Sequence, residues 1–380
     1  MQTRLFAAVG RDIFGKKWAV GGLSAAIPFA QPRGNYNCAR HIAEVDGPNR
    51  LKSQTAYRNG APPLNAGGKV YLIVQDVSFA YVRNVALFIH RMLRQTFGEV
   101  AELIVCPELD DATYSDGALI FVIGENFKRH QRRPRCRYVY LNFSVVEILG
   151  NPLSIGRAGW HMIRRKRAML DEKSDLYDVL LDYYPPQTRV LARQWDMPVQ
   201  GFDVAVHPKN LPATIPFPDR PFDVCFVGGM SERRRLVVDA LKARGFTVSP
   251  HQDVVFEDAA AQSRCCLNIH SLRSNHLETP RIVGALAVGT PVVSEHSYGL
   301  GGLLPEDLRR SARLGRLADA VEGLLNDAEW AALLGRRSQK WYAETYLSKA
   351  EENWRKICRD VALIETSRPI HKTEPLALRT

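Results

Sequence analysis

The chain has 380 residues, a formal charge of +11, 46% hydrophobic and 24% charged residues, which is too long for one ordinary core and suits two globular domains. No run of about 18 uncharged apolar residues occurs, so no spanning helix is expected and the chain reads as soluble or peripheral. Seven cysteines, an odd number with no CxxC pair and no histidines at zinc spacing, favour a reducing cytoplasm over a disulfide framework and do not indicate a structural metal.

Residues 1–68 are rich in Gly, Pro, Asn and Arg and hold no sustained period, so they read as an irregular extension. The mildly apolar stretch 18–30 has too long a lead-in, containing Asp12, for a secretory signal. From Lys69 the pattern changes. Residues 70–74 (VYLIV) form a strand-like run, and 79–97 carry apolar residues at helical spacing through Val82, Val85, Ala86, Ile89, Met92 and Leu93. Further strand-like runs lie at 103–106, 119–123, 138–143 and 179–181, separated by turns or basic helical stretches. Strands alternating with helices imply a parallel sheet covered on both faces. Five prolines in 207–221 mark an interdomain linker. A second series follows at once: strand 222–227, helix 231–244 with Ser231 as N-cap, short strand 246–248, strand 265–270, helix 280–288 and strand 291–294. A helix over about 333–364 carries Trp341, Tyr342, Tyr346, Trp354 and Ile357, long enough to pack from one domain onto the other. The expected fold class is therefore α/β, with two Rossmann-like domains facing across a cleft. The expected boundaries are 1–68 extension, 69–206 N-terminal domain, 207–221 linker, 222–336 C-terminal domain, 337–366 returning helix and 367–380 tail.

Two stretches carry chemistry. Val227-Gly228-Gly229-Met230-Ser231 lies between a strand and a helix, where glycine lets backbone approach a ligand and free helix-start N–H groups favour an anion. Arg233 and Arg234 stand behind it, within reach of a diphosphate. The turn is not GxGxxG, so a nicotinamide fingerprint is absent. The second stretch runs from Leu267 to His270 and from His276 through Glu278-Thr279-Pro280-Arg281 to Gly289 and Glu295. It places Glu278, Thr279 and Arg281 at a helix start on the C-terminal edge of a parallel sheet, where such folds bind ligands. A carboxylate there accepts from ribose hydroxyls and an arginine pairs with phosphate oxygens. His270 reads equally as a contact to the donor or as a satisfied strand-end histidine.

Residues 280–295 (PRIVGALAVGTPVVSE) resemble the nucleotide-sugar-binding segment of GT-B glycosyltransferases, especially the group 1 and spore-coat-type families, whose helix is followed by a small-Gly-x-Pro-Val-Val strand. The likeness covers roughly 200–300 and is only architectural over 69–200. It implies transfer of a sugar from a nucleotide-sugar donor to a glycan or lipid-linked acceptor, with no cofactor and no metal. The donor would be held by Gly228, Gly229, Arg233, Arg234, His270, Glu278, Thr279 and Arg281. Many retaining members carry two glutamates on this helix, and this chain has His276 and Gly284 at those spacings. An inverting reaction would take its base from the N-terminal domain. Asp76 is the first choice, with Glu147 and Asp182 behind it, and Asp76 also reads as a helix N-cap. Asp110-Asp111 is a turn pair rather than a metal-binding DxD.

The basic runs 128–137 (KRHQRRPRCR) and 157–167 would hold an anionic acceptor or the inner face of a membrane, or serve simply as solvated faces. The first lacks interleaved aromatics, so nucleic acid is not an expected partner. Two competing readings remain: a nucleotide-sugar epimerase, which needs an acid and a base flanking one sugar, and a degenerate GT-B module acting as a basic adaptor.

Overall fold

The computed structural model describes residues 68–363, except 129, 134, 149–151, 253, 274 and 275 and the side chains at 152–154 and 158. All of them belong to one compact unit, Ala56–Thr380. The extension 1–67, with its signal-like stretch and Cys38, and the tail 367–380 lie outside the described residues.

Among the described residues, ten strands form two wholly parallel sheets. The first has the order β2-β1-β3-β4-β5-β6, built from β1 (Val70–Gln75), β2 (Ala101–Cys106), β3 (Leu119–Ile123), β4 (Arg137–Asn142), β5 (Val179–Asp182) and β6 (Val199–Gly201). The second has the order β10-β9-β8-β7, built from β7 (Phe222–Cys225), β8 (Ser263–Asn268), β9 (Val292–Glu295) and β10 (Arg310–Ala312). Every residue of β1, β3 and β5 is buried, because helices cover both faces of a parallel sheet. The expected strand at 246–248 is reduced to a single bridge, Val224 to Val248.

Each sheet reverses its winding once, and each reversal opens a crevice at the C-terminal strand ends. In the first sheet it lies between β1 and β3, beside Asp76. In the second it lies between β7 and β8, since the Val248 bridge joins β7 on the edge away from β8, beside Gly228 and His270.

The helices around the first sheet are α1 (Asp76–Phe97), kinked at Val82, α2 (Pro152–Asp171), broken at Gly156, and α3 (Pro185–Gln194). Around the second are α4 (Glu232–Ala243), α5 (Phe256–Ala261), α6 (Thr279–Ala287), α7 (Leu300–Leu303), α8 (Leu317–Leu325) and α9 (Ala328–Trp341).

The stretch 207–221 contains two single 3-10 turns, Pro208–Asn210 and Phe217–Asp219. Its end is stapled to the second sheet by buried Arg220, which donates to the Ser263 carbonyl and the Thr290 hydroxyl, both at 2.9 Å. After α9, a π-turn (Tyr342–Tyr346) leads directly into α10 (Leu347–Leu363), which packs on α1. Three aromatic side chains on this path bond to backbone of the segment leaving β6. The Tyr342 hydroxyl donates to the Val206 carbonyl at 2.6 Å and accepts from the Val206 N–H at 2.8 Å. The Tyr346 hydroxyl donates to the Val204 carbonyl, and the Trp354 indole N–H to the Asp203 carbonyl, both at 2.9 Å. Buried backbone groups outside a ladder need such partners, and here aromatic side chains supply them.

Candidate functional site

The second crevice is built from three chain segments. β7 delivers Gly228, whose φ of +135° is strained for any other residue and whose missing side chain matters as much. A Cβ there would lie 2.9 Å from an Arg281 Nη2 and 3.5 Å from an Arg234 Nη1. At Gly229 a Cβ would meet nothing within 4 Å, so the turn opens outward on that side. Helix α4 follows with Ser231 in extended N-cap geometry, but its hydroxyl makes no capping bond and is buried without a partner. The start of α4 therefore keeps its free N–H groups.

Two guanidinium groups of α4, those of Arg233 and Arg234, face inward, while Arg235 is exposed. Arg234 is 3% exposed and donates to the carbonyls of Ile269 (2.8 and 3.1 Å) and Gly229 (2.8 Å) and to Glu278 at 3.0 Å. Arg233 forms a two-pronged pair with Glu295 at the end of β9, both contacts at 2.6 Å, and also reaches the His270 carbonyl at 3.2 Å. The third segment opens α6. Glu278 occupies the N-cap position but does not cap; its carboxylate pairs with Arg281 one turn on, with Arg234 and with the Ser271 N–H. Arg281 also donates to Asn268 at 3.2 Å. α6 ends at Val288, and Gly289 beyond it takes φ +72°, the left-handed stop expected of that glycine.

Three guanidinium groups against two carboxylates leave this crevice with one net positive charge. Burial and the neighbouring cation pull Arg281 down to about 9 and Arg234 down to about 10, so both stay protonated at neutral pH. Their charge is held in a partly dried site, which strengthens attraction to an anion.

Two histidines line the approach from the first sheet. His270 is 1% exposed; its Nε2 lies against the Ser297 hydroxyl (3.0 Å) and the His296 carbonyl (3.2 Å), while its Nδ1 has no partner. His276 is 3% exposed with both ring nitrogens unpartnered, and its ring centroid lies 5.0 Å from that of Tyr184. Burial, then the proximity of His270, lowers His276 to about 4. Tyr184 follows β5 and its hydroxyl reaches the Tyr298 carbonyl at 3.4 Å, so the strand ends of the two sheets meet here.

The structure thus gathers Gly228, Gly229, Arg233, Arg234, His270, Glu278 and Arg281 into one connected cluster. Thr279 is buried in the first turn of α6. Glu295 and Asn268 complete the network and were not singled out from sequence; the Glu that closes the PVVSE run was the available signal. Glu278 is itself occupied by two arginines, so its free acceptor capacity is small. The glutamate-free position Gly284 also has a physical reason: a Cβ there would lie 2.9 Å from the Phe256 ring and 3.0 Å from a Glu257 oxygen.

The three carboxylates chosen as bases are not part of this cluster. Asp182 is fully buried and accepts from Asn142 and Gln187 (2.7 Å each), the Tyr184 N–H (2.9 Å) and Thr188 (3.2 Å). Those bonds organise the turn after β5 and occupy both carboxylate oxygens. Burial still pushes it up to about 6. Glu147 is ion-paired to Arg167. Asp76 is exposed at the first crevice; the N-cap is Gln75, and Asp76 is the first helical residue, accepting from the Val77 N–H at 2.6 Å.

The basic run 128–137 is largely consumed by the fold. Lys128 pairs with Glu108, and Arg132 grips Asp178 with two 2.7 Å contacts. Arg133 lies 3.9 Å over the Tyr114 ring, and Arg137 donates to the Val361 and Ala362 carbonyls. Among the described residues, no helix is long and apolar enough to cross a membrane, and no group of three or more His, Cys, Asp or Glu could hold a metal ion.

No family model matches the chain, and no curated protein matches it significantly. Among solved structures, Anabaena Alr3699/HepE in complex with UDP-glucose is similar at a TM-score of 0.50 with 8% identity, over 76% of this chain and 99% of that one. WaaG, a glycosyltransferase involved in lipopolysaccharide biosynthesis, gives 0.48 with 11% identity over 76% and 99%. TarM gives 0.45 with 11% identity over 64% of this chain, which spans only 55% of TarM's length. The two parallel sheets with crevices at their C-terminal strand ends make a GT-B glycosyltransferase-like fold.

Proposed function

We propose that this chain is a glycosyltransferase that takes a hexosyl group from a nucleotide sugar and passes it to a glycan or lipid-linked acceptor, without a metal ion. The observation that carries the reading is the convergence of Arg234 and Arg281 on the Gly228-Gly229 turn beside the start of α4, with Arg233 held close by on Glu295 and the His270 carbonyl. Such a site suits a diphosphate, and the same groups would stabilise the charge that grows on a nucleoside diphosphate as it leaves. The fold likeness to a protein seen with UDP-glucose supports a uridine nucleotide as the first donor to try.

In this reading the second sheet holds the donor and the first sheet holds the acceptor, with Asp76 as the base if configuration inverts. Assembly of a bacterial polysaccharide in the cytoplasm, at the inner face of the membrane, is the setting that fits such an acceptor.

The test is donor turnover. Purified protein is incubated with UDP-, GDP- and other nucleotide sugars plus candidate acceptors, and released nucleoside diphosphate is measured. Acceptor-dependent release with one donor, lost in Asp76→Asn if the reaction inverts and in Arg281→Met, supports the reading. A well-folded protein that binds no nucleotide favours the degenerate adaptor instead.

A further inference from the structure

The basic run 157–167, once its partners are seen, does not form a free cationic face. Lys166 pairs with Glu125 at 3.2 Å, and Arg164 stacks on Trp160 with its guanidinium carbon 4.6 Å from the ring centroid. Arg167 binds Glu147, Asp171 (2.7 Å) and Gln194 (2.7 Å), and lies over Trp195. Between α2 and the loop after β4, Glu147, Trp160, Arg164, Arg167, Asp171 and Gln194 frame an open groove of about 460 Å³, within the size of small-molecule sites.

We propose that this groove is a binding site for an uncharged oligosaccharide, the acceptor of the transfer reaction. The lining chemistry selects that class. Trp160 is only half-buried and offers an apolar platform to the C–H face of a sugar ring. Around it, Glu147, Asp171 and Gln194 keep acceptor capacity, and Arg164 and Arg167 keep donors, the complement of a ring of hydroxyls. Two arginines against two carboxylates leave no net charge along the lining, so the groove favours neither a phosphate nor an anionic membrane.

Its position agrees with an acceptor role. Gln187 accepts from the Val146 and Glu147 N–H groups at the groove and donates to Asp182 at the end of β5. Asp182 in turn fixes Tyr184, whose ring meets His276 beside the arginine cluster. At the Trp160 end, a Cβ on neighbouring Gly159 would lie 3.4 Å from Leu272 of the donor half. The Trp160 end of the groove is therefore one residue from a contact with the donor half. The acceptor role rests on the transferase reading; oligosaccharide binding can be read without it.

The test uses the full chain labelled with 5-fluorotryptophan, whose Trp160 resonance among six is assigned by Trp160→Phe. Cellotetraose, maltotetraose and chitotetraose are titrated in turn, then inorganic phosphate and phosphatidylglycerol vesicles. The expected result is a saturable shift of the Trp160 resonance with a neutral tetrasaccharide, and at least a tenfold weaker affinity, read by isothermal titration of the same sugar, in Trp160→Ala and in Gln194→Ala. Uridine diphosphate binding in the same samples should be unchanged by both substitutions. Absence of a shift with all three sugars, an unchanged affinity in both variants, or a response to phosphate or vesicles alone overturns the proposal. Loss of nucleotide binding in the wild-type chain would instead count against the donor site, and leaves the groove to be judged on its own result.

Discussion

Arg281→Met separates ligand binding from structural support most cleanly. Methionine keeps much of the stem volume but removes the cation that faces Gly228. In the folded protein Glu278 still has Arg234 at 3.0 Å and the Ser271 N–H at 3.3 Å, so its charge is not abandoned, although Asn268 loses a donor at 3.2 Å. The stability cost should therefore fall at about 1–3 kcal/mol rather than the larger penalty of an orphaned buried charge. Binding should suffer separately. A charge-assisted hydrogen bond to a phosphate oxygen is worth about 1.5–3 kcal/mol, which is roughly a 10- to 150-fold weaker Kd for a nucleoside diphosphate. Isothermal titration with uridine diphosphate, alongside urea unfolding, reads both quantities. Arg281→Lys should recover part of the affinity, since it keeps the charge but not the fork. If the Met variant unfolds more easily yet binds within twofold of the wild type, Arg281 is a clamp for Glu278 and the donor-site reasoning fails.

Burial raises Asp182 above its unfolded value, so protonation favours the folded state: its contribution is complete below about pH 4 and is lost as pH rises through about 6. His276 is lowered to about 4 and works in the opposite sense, with its contribution present above pH 6.5 and lost as pH falls. Stability curves for Asp182→Asn and His276→Asn, each subtracted from wild type between pH 4 and 7, should slope in opposite directions; parallel slopes would contradict the burial of one of them. Gly284→Glu should destabilise by about 1–3 kcal/mol, because its Cβ meets the Phe256 ring at 2.9 Å and a second carboxylate meets Glu257. A neutral or stabilising outcome would show that α5 can move aside. Tyr342→Phe leaves both polar groups of Val206 unpaired and should cost about 1–3 kcal/mol, a drop of several degrees in Tm by calorimetry; an unchanged Tm would mean that the returning segment does not hold the β6 exit.

What was legible in the sequence follows from how strongly burial writes itself into it. VYLIV and LIFVI are continuous apolar runs because helices cover both faces of those strands, and they announce a parallel sheet. β6 (VQG) and β10 (RSA) are three-residue edge strands with no such run, and neither could be read. The basic helix α2 hid its inward face behind arginines and a break at Gly156. At the site, the three-residue spacing of Glu278 and Arg281 places them on one helix face, so their proximity was readable. That they would neutralise one another, and that Arg234 would cross from α4 to join them, depends on packing between distant segments. The candidate bases fared differently for the same reason. Three of the donors to Asp182, the Tyr184 N–H and the Gln187 and Thr188 side chains, follow it closely in sequence, but the fourth, Asn142, comes from β4, and only the assembled sheet and α3 turn all of them onto one carboxylate.

The most direct measurement is a crystal structure of the chain grown with uridine diphosphate. The account expects the two phosphates at the Gly228-Gly229 turn, within hydrogen-bond reach of Arg281 and the first N–H groups of α4. Nucleotide density elsewhere, or an arginine cluster still closed on Glu278 and Glu295 with no ligand at saturating nucleotide, would contradict it.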